Sequence, residues 1–143
     1  MSHLLDTNVI SELRKSARRA DAGVRSWVAQ RDPSALYISV ITVLEIELGI
    51  ARLAQRDPAQ AGPLQAWFDE DLLEAFVRRI LPVDARVARR AARLHVPDPR
   101  PERDALIAAT AAVNGLAVVT RNVRDFEALE VAVINPWSEA SRS

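Results

Sequence analysis

The sequence predicts an α/β fold, with a central, mostly parallel five-stranded sheet flanked by helices. Three observations predict it. Five short apolar runs rich in branched residues alternate with longer stretches whose apolar positions recur at helical spacing. Strands that alternate with helices pair in parallel, because each crossover returns the chain to the same end of the sheet. The chain has 143 residues, 49% of them hydrophobic, which suffices for one packed core, and no linker-like stretch divides it.

The first run is His3–Asp6, followed by helical periods at Val9–Arg14 and Gly23–Gln30. The second, Leu36–Val40, leads into Thr42–Gln55 and then Ala59–Arg78, the longest helical candidate. The third, Arg79–Val83, precedes Ala85–His95. Pro97, Pro99 and Pro101 then force an extended connection, since proline fixes φ and disfavours helix in the residue before it. Glu102–Asn114 follows and stops at Gly115, where a helix C′ residue is expected, directly before the fourth run, Leu116–Thr120. A short helix near Asn122–Leu129 and a last run, Val131–Ile134, complete the pattern. Residues 2–137 are expected to form the domain, and 138–143 a polar tail.

Composition narrows the chemistry. With 19 basic and 19 acidic residues the formal net charge is zero, so the chain lacks the positive excess of a protein that holds nucleic acid by charge alone. The arginines are nonetheless grouped: Arg18 and Arg19; Arg86, Arg89, Arg90 and Arg93; Arg100 and Arg103. Each group reads most simply as a solvated helix face. The absence of cysteine excludes disulfides, thiolate zinc sites and cysteine nucleophiles. His3 opens a strand and His95 ends an arginine-rich helix, so neither of these histidines suits a serine triad or a zinc site. No glycine-rich phosphate loop is present. No stretch approaches the roughly 20 apolar residues that span a bilayer, and no signal-peptide run opens the chain, so a cytoplasmic protein without membrane contact is expected.

Several acids stand where a fold alone would not need them. Asp6 ends the first strand, and ligands of open parallel sheets gather beyond the carboxyl ends of strands. It also suits the cap of the helix that follows. Asp104 shares a helical stripe with Ile107, Ala108 and Ala111, so its carboxylate projects along a buried face. A buried carboxylate calls for a cation or strong donors nearby. Glu45 and Glu47 both have apolar neighbours along their helix, and periodicity does not choose between them. Asn122 and Asp125 follow the fourth strand and face the same crevice as Asp6 or form a plain turn.

Carboxylates gathered without histidine or cysteine suit Mg²⁺ or Mn²⁺. A metal so held activates water and stabilises charge on a phosphate, which fits phosphodiester hydrolysis. Two other α/β chemistries place an aspartate after the first strand. Dehalogenase-type phosphatases need a second aspartate where this chain has Asn8, and receiver domains need a late lysine, whereas the lysine here is Lys15.

The strings LLDTNVISEL, SVITVLEIELGI, RDALIAATAAVNGLAVVTRNVRDFEAL and VAVINPW, in this order and spacing, resemble the PIN-domain ribonucleases, and among them the VapC toxins of bacterial toxin–antitoxin pairs. The resemblance runs from Leu4 to Trp137. It implies a PIN-like sheet flanked by helices and an endoribonuclease that needs Mg²⁺ or Mn²⁺. It further implies a VapB-like antitoxin partner, an RNA substrate, and a homodimer that assembles further with the antitoxin. By motif it carries the family's acids to Asp6, Glu45 and Asp104 as catalytic and metal-holding residues. It leaves a fourth position open between Asn122 and Asp125, with Asp125 able to supply the carboxylate. Asn8, Thr120 and Asn122 are expected to orient the carboxylates by hydrogen bonds. In the candidate helix Ala59–Arg78, Leu64, Trp67, Phe68, Leu72, Leu73 and Phe76 read most simply as core, and the resemblance implies that some of them line an antitoxin groove while others meet a second copy of the toxin. The alternatives are a catalytically weak PIN-like binding module and a broader single-strand nuclease.

Overall fold

In the computed structural model, which describes residues 1–138, five strands pair in the order β3-β2-β1-β4-β5. They are β1 (His3–Leu5), β2 (Leu36–Ser39), β3 (Ile80–Leu81), β4 (Ala117–Val119) and β5 (Val133–Ile134). Every neighbouring pair is parallel, so the expected mostly parallel sheet is wholly so among the described residues. The polar tail expected from residue 138 onward lies, beyond Ser138, outside the described residues.

The helices are α1 (Thr7–Arg14), α2 (Ala22–Ala29), α3 (Val40–Arg56), α4 (Pro58–Ala66), α5 (Leu73–Ala75), α6 (Ala85–Leu94), α7 (Glu102–Val113) and α8 (Val123–Glu127). They cover both faces of the sheet, which is why the strands read as nearly continuous apolar runs. Alternation along each strand sorts the side chains. Leu4 stands beside Tyr37 and Val118 and packs with Val87, Ala91, Ile107 and Phe126 of α6, α7 and α8. Leu5 stands beside Val119 on the other face, with Leu36 and Ile38, against Val9, Ile10, Val24, Ile46 and Phe68. No helix among the described residues is long and apolar enough to cross a membrane.

Three boundaries differ from expectation, each for a local reason. First, α1 starts at Thr7 rather than Val9, because Asp6 has extended backbone and its side chain accepts the N–H of Thr7, beginning the helix directly at the strand end. Second, α3 follows β2 without a loop. Ser39 turns the chain, its hydroxyl accepting the N–H of Ile41.

Third, the long candidate Ala59–Arg78 is not one helix. Pro63 removes a donor inside α4, and Trp67–Leu72 then winds as a π-helical turn that leaves Phe68 and Leu72 both buried. The helix stops at Phe76 (φ −107°), where the Arg79 guanidinium donates to the carbonyls of Ala75 and Pro33 and ties the exit to the start of β2. Gly115 does take the left-handed conformation expected after α7, with φ +68°.

The strand order places the site. From β1 the chain moves outward to β2 and β3, then crosses back to β4 and β5 on the opposite side of β1. The direction of winding therefore reverses between β1 and β4. Helices leaving those two strands diverge to opposite faces, opening a crevice at the carboxyl end of the sheet.

Candidate active site

Asp6 leaves β1 at this crevice. Its N–H still donates to the Val119 carbonyl of β4 at 2.9 Å, so its backbone is held by the sheet while its side chain belongs to the next helix. One carboxylate oxygen accepts the N–H of Thr7 at 2.8 Å. The other accepts the Thr120 hydroxyl at 2.8 Å. The carboxylate that caps α1 thus also lines the cleft.

Thr120 is fully buried, and its hydroxyl has three partners. The Asn8 amide donates to it at 3.2 Å and the Asn122 N–H at 3.0 Å. With both lone pairs engaged, its proton is directed to Asp6. Asn8 is itself oriented, since its carbonyl accepts the Arg121 N–H at 3.4 Å. Asn8 and Thr120 therefore stand where hydrogen bonding was expected. Asn122 contributes through its backbone, while its side chain borders the cleft.

Glu45 enters from α3. Periodicity left it level with Glu47 while the motif resemblance chose it, and the two occupy different surroundings. Glu47 is exposed and takes the Gln65 amide at 3.2 Å, whereas Glu45 lines the cleft. Its Oε1 accepts the Thr7 hydroxyl at 2.6 Å, and Thr7 is in turn hydrogen-bonded to Thr42 at 3.1 Å. Its Oε2 faces the Arg103 guanidinium at 3.8 Å. Asp104 enters from the first turn of α7, half-buried, with Ile107, Ala108 and Ala111 of its stripe completely buried.

These three acids from three separate elements, with Asn8, Arg121 and Asn122, line a cleft of about 460 Å³. Burial pushes the Asp6 carboxyl up to about 6, with Asp104 and Glu45 adding to the rise and the Thr120 and Thr7 hydrogen bonds opposing it. Burial also raises Asp104, helped by the charges of Asp125 and Glu45. Asp125 is exposed on α8 and does not line this cleft; it faces a neighbouring cavity and acts on Asp104 through its charge.

The donor set suits a hard divalent cation. Its acids offer oxygen only, and they lie close enough for their charges to raise the Asp6 and Asp104 carboxyls in addition to burial. No group of three or more His, Cys, Asp or Glu among the described residues forms a ready set of direct metal ligands. Mg²⁺ takes one or two carboxylates directly and keeps several waters, a demand that acids such as Asp6 and Asp104 can meet. His3 lies at the opposite end of β1, buried edge-on against Trp27 with ring centroids 4.9 Å apart.

Three features escaped the sequence. Thr7 links Glu45 to Thr42; Arg103 reaches Glu45; and Trp137, 3% exposed, borders the cleft beneath the Arg121 guanidinium at 5.4 Å. Each depends on a partner remote in sequence, so no local spacing announces it.

The PIN domain model matches residues 3–131. The chain is 36% identical to the VapC ribonuclease Y4jK of Sinorhizobium fredii over 96% of its own length and 99% of that protein. It is 37% identical to Toxin FitB of Neisseria gonorrhoeae, covering 95% of this chain and 99% of that one. Among solved structures, FitAcB from Neisseria gonorrhoeae superposes with a TM-score of 0.84 at 36% identity, over 94% of this chain and 97% of that chain.

Proposed function

We propose that this chain, which belongs to the PIN-domain family, is a metal-dependent endoribonuclease acting as the toxin of a toxin–antitoxin pair. The observation that carries this reading is the convergence of Asp6, Glu45 and Asp104 at the reversal point of the sheet, with two of them raised by burial and by the neighbouring acids. Asp6 and Asp104, with Glu45, would hold Mg²⁺ or Mn²⁺. A bound ion of this kind supplies an activated water and neutralises charge developing on a phosphodiester. The chain's own residues set the geometry. Thr120 and the Thr7 N–H hold Asp6 in a single orientation, Asn8 directs Thr120, and Thr7 fixes Glu45. Asp125 fills the fourth acidic position through its charge on Asp104, and the Asn122 amide stands at the cleft edge.

RNA as substrate is supported by the relatives named as ribonucleases, VapC ribonuclease Y4jK and Ribonuclease VapC14. An antitoxin partner is supported by a solved relative, the toxin-antitoxin complex from Klebsiella pneumoniae. A seat for it adjoins the site: Ile46, Ile50, Leu53, Leu64 and Trp67 line a largely apolar groove of about 270 Å³ that shares Thr7 and Glu45 with the cleft. Leu64 and Trp67 thus take the groove role, while Phe68, Leu72 and Phe76 pack the core. A homodimer acting in the cytoplasm completes the reading.

The test is cleavage of defined RNA and single-stranded DNA in Mg²⁺ or EDTA. Metal-dependent RNA cleavage, abolished in Asp6→Asn and Asp104→Asn and reduced about 10- to 100-fold in Asp125→Asn, is expected. Protein free of antitoxin that cuts no RNA would make the chain a binding module. Equal cleavage of both substrates would make it a broader nuclease.

A further inference from the structure

The Arg103 guanidinium reaches the acid cluster through Glu45. Its Nη1 lies 3.8 Å from Glu45 Oε2, an ion pair without a hydrogen bond, and its side chain is 48% exposed. Such a loose, half-solvated pair is weakly held. The Glu45 carboxylate cannot turn to follow it, because Thr7 holds Oε1 at 2.6 Å. Oε2 is therefore the Glu45 oxygen left to a cation, and Arg103 occupies its approach. Arg103 springs from the first turn of α7, immediately before Asp104, so its long side chain is anchored beside two acids that line the cleft, Asp104 and its partner Glu45.

We propose that Arg103 is the residue that binds the scissile phosphate, resting on Glu45 while the site is empty and moving to a non-bridging phosphate oxygen once a divalent cation neutralises that carboxylate. The inference rests on the metal-dependent ribonuclease reading above. Two physical points support the exchange. A guanidinium and a divalent cation compete for one carboxylate oxygen, so loading the site releases the arginine. A planar fork of donors matches a phosphate's paired oxygens better than a point charge does. Glu45 thus serves as a parking place for a group that the substrate later needs, and an empty cleft keeps part of its negative charge screened.

The experiment compares wild type, Arg103→Gln and Arg103→Lys, first confirmed to be folded by circular dichroism. Mn²⁺ alone is titrated calorimetrically into RNA-free protein, and cleavage of single-stranded RNA is then measured at saturating Mn²⁺. Arg103→Gln should bind Mn²⁺ several-fold more tightly, since a competing cation is gone, yet cut RNA about 10- to 100-fold more slowly. Arg103→Lys should fall between the two in turnover. Unchanged or weaker Mn²⁺ binding by Arg103→Gln, or undiminished cleavage at saturating metal, would overturn the proposal. A wild-type protein that binds no Mn²⁺ or cuts no RNA would instead overturn the reading beneath it, so the two failures are told apart.

Discussion

Asp6 carries three duties on one carboxylate: it caps α1, accepts the Thr120 hydroxyl, and faces two other acids across the cleft. Its carboxyl is raised from an ordinary 3.8 to about 6, so the folded chain binds this proton more tightly than the unfolded chain does. Stability linked to Asp6 is therefore fully present below about pH 4 and is lost as pH rises through 6, by up to about 3 kcal/mol. Asp104 acts in the same direction. A cation that neutralises the ionised pair reverses the loss. Thermal melts should accordingly show a larger Mn²⁺-induced rise in midpoint at pH 7.5 than at pH 5, and equal rises at both would contradict this account. Thr120→Val removes the donor to Asp6 and leaves the Asn8 amide and Asn122 N–H without an acceptor. Turnover is expected to fall about 10- to 100-fold, with about 1–3 kcal/mol of stability lost in urea melts. Asp6 and Asp104 were legible in the sequence because an acid at a strand end and an acid in an apolar stripe each break a local pattern. Glu45 was not legible from periodicity and needed the motif resemblance, since the contact that distinguishes it from Glu47 is with Thr7, 38 residues away.

Elements follow the same division. The strands, the caps and the stop at Gly115 are local matters of period and backbone preference, and the sequence shows them. The break in the Ala59–Arg78 candidate depends on how Phe68 and Leu72 meet the core and on Arg79 reaching the carbonyl of Pro33, so periodicity alone overextends that helix. The segment after β5 also depends on a distant partner. It crosses the start of α2, where the Ser138 N–H and hydroxyl donate to Asp21 at 3.0 and 2.7 Å. Gly23 permits this crossing, because a Cβ there would lie 2.5 Å from the Ser138 nitrogen and 2.7 Å from the Pro136 carbonyl oxygen. Backbone atoms cannot swing aside, so Gly23→Ala should cost about 1–3 kcal/mol. It should also shift Trp137 fluorescence, as its chain segment is displaced. Gly49→Ala in α3 provides the contrast: nothing lies within 4 Å of its Cβ position, and it should be neutral or stabilising by up to about 1 kcal/mol in the same denaturation series.

At the scale of the molecule, the two helical layers meet across the sheet and where α3 touches α7, and the cleft draws on both. Asp104 comes from the layer of α6, α7 and α8, while Glu45 comes from that of α1 and α3. Catalytic geometry and global stability are thus coupled. Trp27, Trp67 and Trp137 all pack on the face opposite Ile107. Ile107→Ala should lower stability by about 2–5 kcal/mol. Because the layers share β1, tryptophan fluorescence and far-ultraviolet circular dichroism should still report one common transition in urea. Separate midpoints would mean that the layers unfold independently. The α/β class and parallel sheet were readable from alternation alone. The β3-β2-β1-β4-β5 order was not, since nothing in a single strand's sequence names its neighbours.

That order also has a consequence in time. β1 is made first but sits at the centre, and Asp6 meets its hydroxyl donor only when a residue 114 positions later has been synthesised. At about 5–20 residues per second, several seconds of translation separate them. Through most of that interval Asp104 does not yet exist, and the strand bearing Asp6 is the edge of a half-built sheet. A nascent chain therefore has no complete cleft until Thr120 has been added, and messages truncated before codon 120 yield no assembled site.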